Sequence, residues 1–133
     1  MADAYELKNL EALCFLYLTF SHATDDELTR DEMNTIAQTL REWSHTATLE
    51  EIGQILKKTV TAYKGIGSKA DRYRKASEYA SELKDNVSYD NLHKVVTHLT
   101  TIANADGKLV ESERKFIIAT ANTLGVPPPE SLL

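Results

Sequence analysis

The chain has 133 residues, a formal net charge of −5 and one cysteine, Cys14, so no intramolecular disulfide can form. A single domain is expected at this length, and it can bury about 68% of the surface that the unfolded chain exposes, enough for a core without metal or disulfide support. The N-terminus carries no basic leader and no apolar run reaches the roughly 18 residues of a membrane span, so we expect a cytoplasmic protein without membrane insertion.

Apolar residues recur at intervals of three and four from the first segment to the last, which is the spacing of amphipathic helices. In the first segment this stripe includes Leu10, Cys14 and Leu18, so the thiol is interpreted as a small buried hydrophobe. Trp43 is expected in the core as well. No run alternates for long enough to be a strand. We therefore predict an all-α domain with six helices, at about residues 5–22, 29–45, 48–63, 69–85, 89–104 and 110–124.

Capping residues and helix-breaking residues support these boundaries. Thr29 and Thr48 are each followed three residues later by a Glu, as in a capping box. Residues 65–68, Gly-Ile-Gly-Ser, separate the third and fourth helices, and Gly125 ends the sixth. Prolines then exclude further helix, so residues 127–133 are predicted as a proline-rich, extended C-terminal tail.

An acidic pattern occurs twice, at residues 25–32 and 106–113. Each copy has an Asp and, after six intervening residues, a Glu, and the copies are 81 positions apart. Helical residues on both sides of the pattern match at the same offset. The identical pairs are Asp25 and Asp106, Glu32 and Glu113, Leu18 and Leu99, Thr19 and Thr100, Leu28 and Leu109, Ile36 and Ile117, and Thr39 and Thr120. Duplication of a helix-loop-helix unit is the simplest explanation.

The duplication predicts a compact bundle in which two pseudo-symmetric helix-loop-helix units flank a central helix pair. The acidic units are at about residues 5–45 and 89–125, the basic pair is at about 48–85, and together they fill a domain of residues 1–126. Residues 57–84 carry a net charge of +5, which leaves −10 on the rest of the chain. This balance argues against nucleic acid as a partner of the repeats.

The paired acidic residues have the chemistry of a site for a hard divalent cation, because Ca²⁺, Mg²⁺ and Mn²⁺ prefer carboxylate oxygens. In the first copy a plainer explanation also holds, since Glu32 can be the capping partner of Thr29 and Asp25 can form an Asx turn. In the second copy Val110 replaces the capping Thr, so capping does not fully explain Glu113. The helix dipole still favours a carboxylate there by about 0.3–1 kcal/mol.

The second copy also matches half of an EF-hand loop, with Asp106, Gly107 and Glu113 at positions 5, 6 and 12. Positions 1 and 3 would be Ile102 and Asn104, so the leading carboxylate ligand is missing, as it is in the first copy. This argues against a high-affinity calcium EF-hand. A half-loop that binds the cation through fewer protein ligands and more water molecules remains an alternative.

Residues 103–113, Ala-Asn-Ala-Asp-Gly-Lys-Leu-Val-Glu-Ser-Glu, resemble the signature of the tellurite-resistance TerB family, a helix followed by Ala-x-Asp-Gly-x-Leu/Ile-Ser/Thr-x-x-Glu and another helix. The likeness covers almost the whole chain. It implies a TerB-like all-helical domain in which a pseudo-twofold brings the two acidic loops together as a negative cluster that binds divalent metal. By position, the resemblance nominates as ligands Asp25, Glu32, Asp106 and Glu113, with the outer candidates Asp26, Glu27, Asp31 and Glu111.

The four histidines do not form a transition-metal set. His93 and His98 are five residues apart and diverge around a helix, and His45 ends its helix, so these three are predicted at the surface or beside helix ends. His22 is near Asp25 in sequence and is a candidate fourth ligand if the ion is Zn²⁺. The lack of a thiolate among the candidate ligands disfavours Zn²⁺.

These features favour a non-enzymatic module, linked to a stress or tellurite-resistance-type response, whose acidic loops bind Ca²⁺, Mg²⁺ or Mn²⁺. An alternative is a helical adaptor in which the acidic residues only end helices and another surface binds a protein. A weaker alternative is nucleic-acid contact through basic residues 57–84. No set of residues suggests a catalytic cycle, and the partner is left open, whether another protein or a second copy of the chain.

Overall fold

The computed structural model describes residues 4–22, 30–44, 46–104 and 111–132, and within these ranges the side chains of residues 4, 5, 22, 31, 32, 104 and 131 are not part of the description. The helices are α1 (Ala4–His22), α2 (Arg30–Trp43), α3 (Leu49–Gly65), α4 (Lys69–Asn86), α5 (Tyr89–Asn104) and α6 (Glu111–Leu124), followed by a 3-10 helix at Glu130–Leu132. These ranges contain no strand. The prediction of an all-α fold is therefore confirmed, and each described helix end lies within two residues of the predicted one.

Helix α1 is the centre of the fold. All residues from Ala12 to Ser21 are buried, so this helix is covered on every side and not along one stripe. It packs against α2, α3, α4 and α5, while α6 packs on α4 and α5. Cys14 is fully buried, as predicted. Like the other helices in the described ranges, α1 is not long and apolar enough to cross a bilayer.

Aromatic contacts attach the basic helix pair, α3 and α4, to α1. The ring centroid of Phe15 lies 5.5 Å from that of Tyr63 in α3 and 5.1 Å from that of Tyr79 in α4. Offset or tilted aromatic pairs at such distances add to the stabilisation that burial of the rings provides. Phe15 therefore contacts both helices of the basic pair. The prediction that this pair is central is corrected, because α3 and α4 pack on α1, which is the central helix.

A hydroxyl side chain caps the start of each helix of the basic pair, α3 and α4. Thr48 forms the predicted capping box, because its hydroxyl accepts from the backbone N–H of Glu51 at 3.1 Å and the Glu51 carboxylate accepts from the backbone N–H of Thr48 at 3.0 Å. The hydroxyl of Ser68 accepts from the backbone N–H of Asp71 at 3.1 Å. Each cap satisfies amide groups that have no partner inside their own helix.

The chain after α6 packs back on the helices. Gly125 has a φ of 76°, the left-handed conformation that glycine adopts readily and that commonly ends a helix. Val126 and Leu132 are each 4% exposed. Nε of Arg114 donates to the carbonyl of Leu132 at 2.7 Å. Leu132 is thus a buried anchor, and the 3-10 helix at Glu130–Leu132 corrects the prediction that the prolines exclude further helix and leave an extended tail.

Candidate functional site

Most of the predicted metal ligands lie outside the part of the chain that the structure describes. These are Asp25, Asp26, Glu27 and Asp106, together with the side chains of His22, Asp31 and Glu32. The structure places the other two candidates, Glu111 and Glu113. Among the described residues, no group of three or more His, Cys, Asp and Glu side chains could hold a metal ion. The four-carboxylate site therefore stays a prediction.

The first turn of α6 holds one carboxylate inside the protein and one outside. Glu113 is only 5% exposed, and the helical spacing puts it on the same face as the buried residues Ile117 and Thr120. Glu111 is exposed, and its Oε1 lies 3.1 Å from Nη1 of Arg114 in an ion pair within one turn. Burial of a carboxylate is costly unless it is hydrogen-bonded, paired or bound to a metal. The Glu113 side chain is therefore enclosed by the protein, whereas the Glu111 side chain is exposed to solvent.

The end of α1 lies close to the start of α6. The ring centroids of Phe20 and Phe116 are 5.3 Å apart. With a helical rise of about 1.5 Å per residue, α1 ends about 3 Å beyond Phe20 and α6 begins about 8 Å before Phe116. Near the same end of α1, the hydroxyl of Ser21 is buried and has no hydrogen-bond partner within the described residues. The last turns of α1 therefore contact α6 at a point about 8 Å along α6 from its first residue.

A partly buried, hydrogen-bonded cluster joins α1, α2 and α5. The Nε1–H of Trp43 donates to the hydroxyl oxygen of Tyr17 at 3.0 Å and to Nδ1 of His98 at 3.0 Å. The Tyr17 hydroxyl lies 3.3 Å from the same Nδ1. On the other side of the ring, Nε2 of His98 lies 3.4 Å from Oε2 of Glu42. Tyr17, Trp43 and His98 are termed the polar junction below.

The position of His98 corrects the prediction that it lies at the surface or beside a helix end. Its side chain is 19% exposed, and the rings of Tyr17 and Trp43 contact it edge-on. Trp43 is partly buried and packs against the core, as predicted. The repeat contained a signal for this cluster, because Tyr17 and His98 are also 81 positions apart.

Burial shifts the pKa values of the polar junction toward the neutral forms. It lowers the pKa of His98 below the ordinary value of 6.5, an effect that Glu42 opposes and Lys94 strengthens. Burial also raises the pKa of the Tyr17 phenol, which the hydrogen bond from Trp43 partly offsets. Both side chains are therefore neutral at pH 7.

Cys14, on the same helix as Tyr17, is also fully buried but is not part of the polar junction. Burial raises the pKa of its thiol to about 12. The thiolate is the reactive form of cysteine, so this side chain is inert at neutral pH. Its burial among apolar residues of α1 supports the interpretation of Cys14 as a packing residue.

Several basic side chains of α3 and α4 have acidic partners within the fold. Nζ of Lys58 lies 2.7 Å from Oε1 of Glu11 in α1, and Nη2 of Arg74 lies 2.7 Å from Oδ1 of Asp71. Phosphate contacts in nucleic-acid complexes come mostly from basic side chains that are free to meet them. The Lys58–Glu11 pair thus supports the interpretation that the basic helix pair complements acidic residues elsewhere in the fold, whereas the Arg74–Asp71 pair lies within α4.

Comparison with known proteins gives one match. A family model described as tellurite resistance protein TerB matches residues 11–132. Neither curated proteins nor solved structures gave a match. The matched range takes in both acidic segments, the basic helix pair and the buried anchor at Leu132.

Proposed function

Because the chain belongs to the tellurite-resistance TerB family, we propose that it is a non-enzymatic, cytoplasmic module whose paired acidic loops bind a divalent cation, as part of a stress response of the tellurite-resistance type. Each helix-loop-helix unit contributes an Asp and a Glu. The ligands in this proposal are Asp25, Glu32, Asp106 and Glu113. Oxygen ligands without a thiolate favour Ca²⁺, Mg²⁺ or Mn²⁺ over Zn²⁺.

The burial of Glu113 is the observation that carries this proposal. At 5% exposure, its carboxylate is far less hydrated than a surface glutamate. Carboxylate oxygens are the ligands that hard divalent cations prefer, so a carboxylate held inside the fold is suited to be an inner ligand. The Phe20–Phe116 contact supports a common site, because it joins the helix that precedes the first acidic segment to the helix in which the second one ends.

Matched burial at repeated positions supports a pseudo-twofold between the two units. Leu18 and Leu99 are both fully buried. Tyr17 and His98, which occupy equivalent positions, contact each other directly. Direct contact between equivalent residues is what a twofold axis produces where it passes between them. The same relation would place the two acidic segments at equivalent positions about that axis.

Calorimetric titration of chelator-treated protein with Ca²⁺, Mg²⁺ and Mn²⁺ tests the cation site. We expect binding heat for the wild-type protein and its loss in Asp106→Asn and in Glu113→Gln, because each variant removes one ligand charge. Glu50→Gln is the matched control, since Glu50 is an exposed carboxylate in the first turn of α3 and belongs to neither repeat. Equal heats in the wild-type protein and Asp106→Asn would contradict the proposed site.

A helical adaptor without metal is the second candidate, and two exposed side chains favour it. Leu49 is 66% exposed and Tyr89 is 56% exposed. Tyrosines and large apolar residues are frequent in the centres of protein interfaces. Under the adaptor hypothesis, a partner protein contacts these two side chains and no cation takes part in binding.

The melting temperature separates the two candidates. A cation that binds only the folded state raises the free energy of unfolding by about 2.7 kcal/mol at a hundredfold excess over its dissociation constant. We expect such an increase with at least one of the three ions and its reversal by chelator. A melting temperature that none of the ions changes would support the adaptor instead.

A further inference from the structure

The polar junction requires a particular protonation state of His98. The indole N–H of Trp43 can only donate, so Nδ1 of His98, at 3.0 Å, must offer a lone pair. The neutral ring then carries its proton on Nε2, which faces the Glu42 carboxylate at 3.4 Å. In this tautomer the N–H of Trp43 bonds to the Tyr17 oxygen and to Nδ1, and the hydroxyl of Tyr17 can donate to Nδ1 at 3.3 Å. The indole hydrogen of Trp43 and the hydroxyl hydrogen of Tyr17 then each have an acceptor within the junction.

A second proton on His98 breaks this match of donors and acceptors. Nδ1 becomes a donor and faces the N–H of Trp43, which is also a donor. The Tyr17 oxygen is then the one acceptor that the three junction residues share, and the hydrogen of its own hydroxyl loses Nδ1 as a partner. Tyr17 is 0% exposed, so water does not replace the lost bond, and an unpaired buried donor is costly.

The charged side chains that act on the His98 ring belong to α2 and α5. Glu42 of α2 favours the protonated ring, but its side chain is 69% exposed and water screens its charge. Lys94 of α5 disfavours the protonated ring, while Tyr17 of α1 is neutral. An open cavity of about 390 Å³ lies beside the ring, lined by Glu42, Trp43, Asn91, Lys94 and His98. Solvent protons can therefore reach the Nε2 side of a ring whose Nδ1 side is buried.

We propose that the polar junction is a pH-sensitive contact between the two helix-loop-helix units, closed while His98 is neutral and released when His98 is protonated in mild acid. Its release frees the indole of Trp43 from α5 and loosens the end of α2, where the cavity already admits solvent. The junction includes no residue of the acidic loops, so this inference does not rest on cation binding.

Nuclear magnetic resonance of the full chain tests the proposal, because Trp43 is the single tryptophan and gives the single indole N–H signal. The chemical shifts of that signal and of the His98 ring are followed from about pH 7.5 to about pH 5, a range that includes the ordinary histidine pKa near 6.5. We expect both signals to change with one common midpoint below 6.5. An indole signal that stays constant while His98 titrates would overturn the proposal.

Two asparagine variants make the test specific. In His98→Asn the amide oxygen can take the place of Nδ1 as acceptor but does not titrate, so we expect the indole transition to disappear. His93→Asn is the matched control on the same helix, because the His93 ring contacts Tyr89, at 5.3 Å between centroids, and not the junction. The His93→Asn variant should show the same pH-dependent change of the indole signal as the wild-type protein. A transition that persists in His98→Asn contradicts the proposal, and if that variant fails to fold, the common midpoint in the wild-type protein decides alone.

Discussion

Two glutamates on the first turn of α6 show how far the chemistry of a residue depends on its surroundings. Glu111 lies in solvent beside Arg114, and such a surface pair contributes about 0–1 kcal/mol. Glu113, two positions later, is 5% exposed. Helical geometry puts these two residues on different faces. The packing of α6 on α4 and α5 determines which face, and so which of the two carboxylates, is buried.

The polar junction also predicts how stability depends on pH. Burial lowers the pKa of His98 below 6.5, so as the pH falls the unfolded chain binds the proton before the folded protein does. The stability that neutral His98 contributes is fully present above about pH 6.5 and is lost as the pH falls toward the folded-state pKa. We expect the wild-type melting temperature to fall between about pH 7 and pH 5.

Comparing the wild-type protein with His98→Asn shows how much of this loss of stability comes from the His98 side chain. The variant has no ionisable group at position 98, so its melting temperature should fall less over the same pH range. Carboxylates elsewhere contribute equally to both proteins, and the difference between the two curves therefore reports His98. Parallel curves for the two proteins would show that His98 does not titrate differently on unfolding.

At the scale of elements, α1 and α3 are stabilised in different ways. The segment from Ala12 to Phe20 contains no charged residue, and this composition places α1 in the centre of the bundle. Helix α3 has one buried face, formed by Ile52, Ile55, Thr59 and Tyr63, and it begins at a complete capping box. The start of α3 therefore depends on local hydrogen bonds, whereas α1 depends on its neighbours.

Removal of the capping hydroxyl should destabilise the protein measurably. Thr48→Ala removes the acceptor for the Glu51 amide, and N-cap losses of this kind cost about 0.5–2 kcal/mol. Thr61→Ala is the matched control, because the hydroxyl of Thr61 is exposed and donates to the carbonyl of Lys57 within the same helix. Its effect should stay within about 0.5 kcal/mol. Urea unfolding of both variants compares them, and equal losses would argue against the cap.

At the scale of the whole molecule, the C-terminal segment completes the core. Leu132 is 4% exposed, and its carbonyl accepts from Arg114. Leu132→Ala leaves a cavity in place of a buried side chain, which costs about 2–5 kcal/mol. Leu49→Ala is the control, since Leu49 is 66% exposed and should change stability by less than about 0.5 kcal/mol. If urea unfolding gave the same midpoint for both variants, Leu132 would not be a core residue in solution.

Much of the fold could be predicted from local sequence patterns. The spacing of apolar residues located all six helices, because each helix must turn an apolar face toward its neighbours. Thr48 was correctly predicted to form a capping box, since such a box involves only residues a few positions apart. The Asp106–Glu113 motif indicated the family that the match over residues 11–132 shows.

The polar junction could not be predicted with the same rules. Spacing along α5 suggested a surface position for His98, but its surroundings come from α1 and α2, 81 and 55 positions away in sequence. Only the 81-residue offset linked Tyr17 to His98. The burial of Leu132 escaped prediction for the same reason, because Arg114 lies 18 positions before it.

The sequence by itself determined the helices, the capping box of α3, the buried place of Cys14 and the membership of a family, because these follow from spacing, composition and a short motif. Tertiary structure alone decided that Glu113 is buried while Glu111 is not, that His98 meets Tyr17 and Trp43, and that Leu132 returns to the core. The physical reason is that burial and pKa depend on atoms brought together from distant parts of the chain, whereas helix formation depends mainly on neighbours within a few residues.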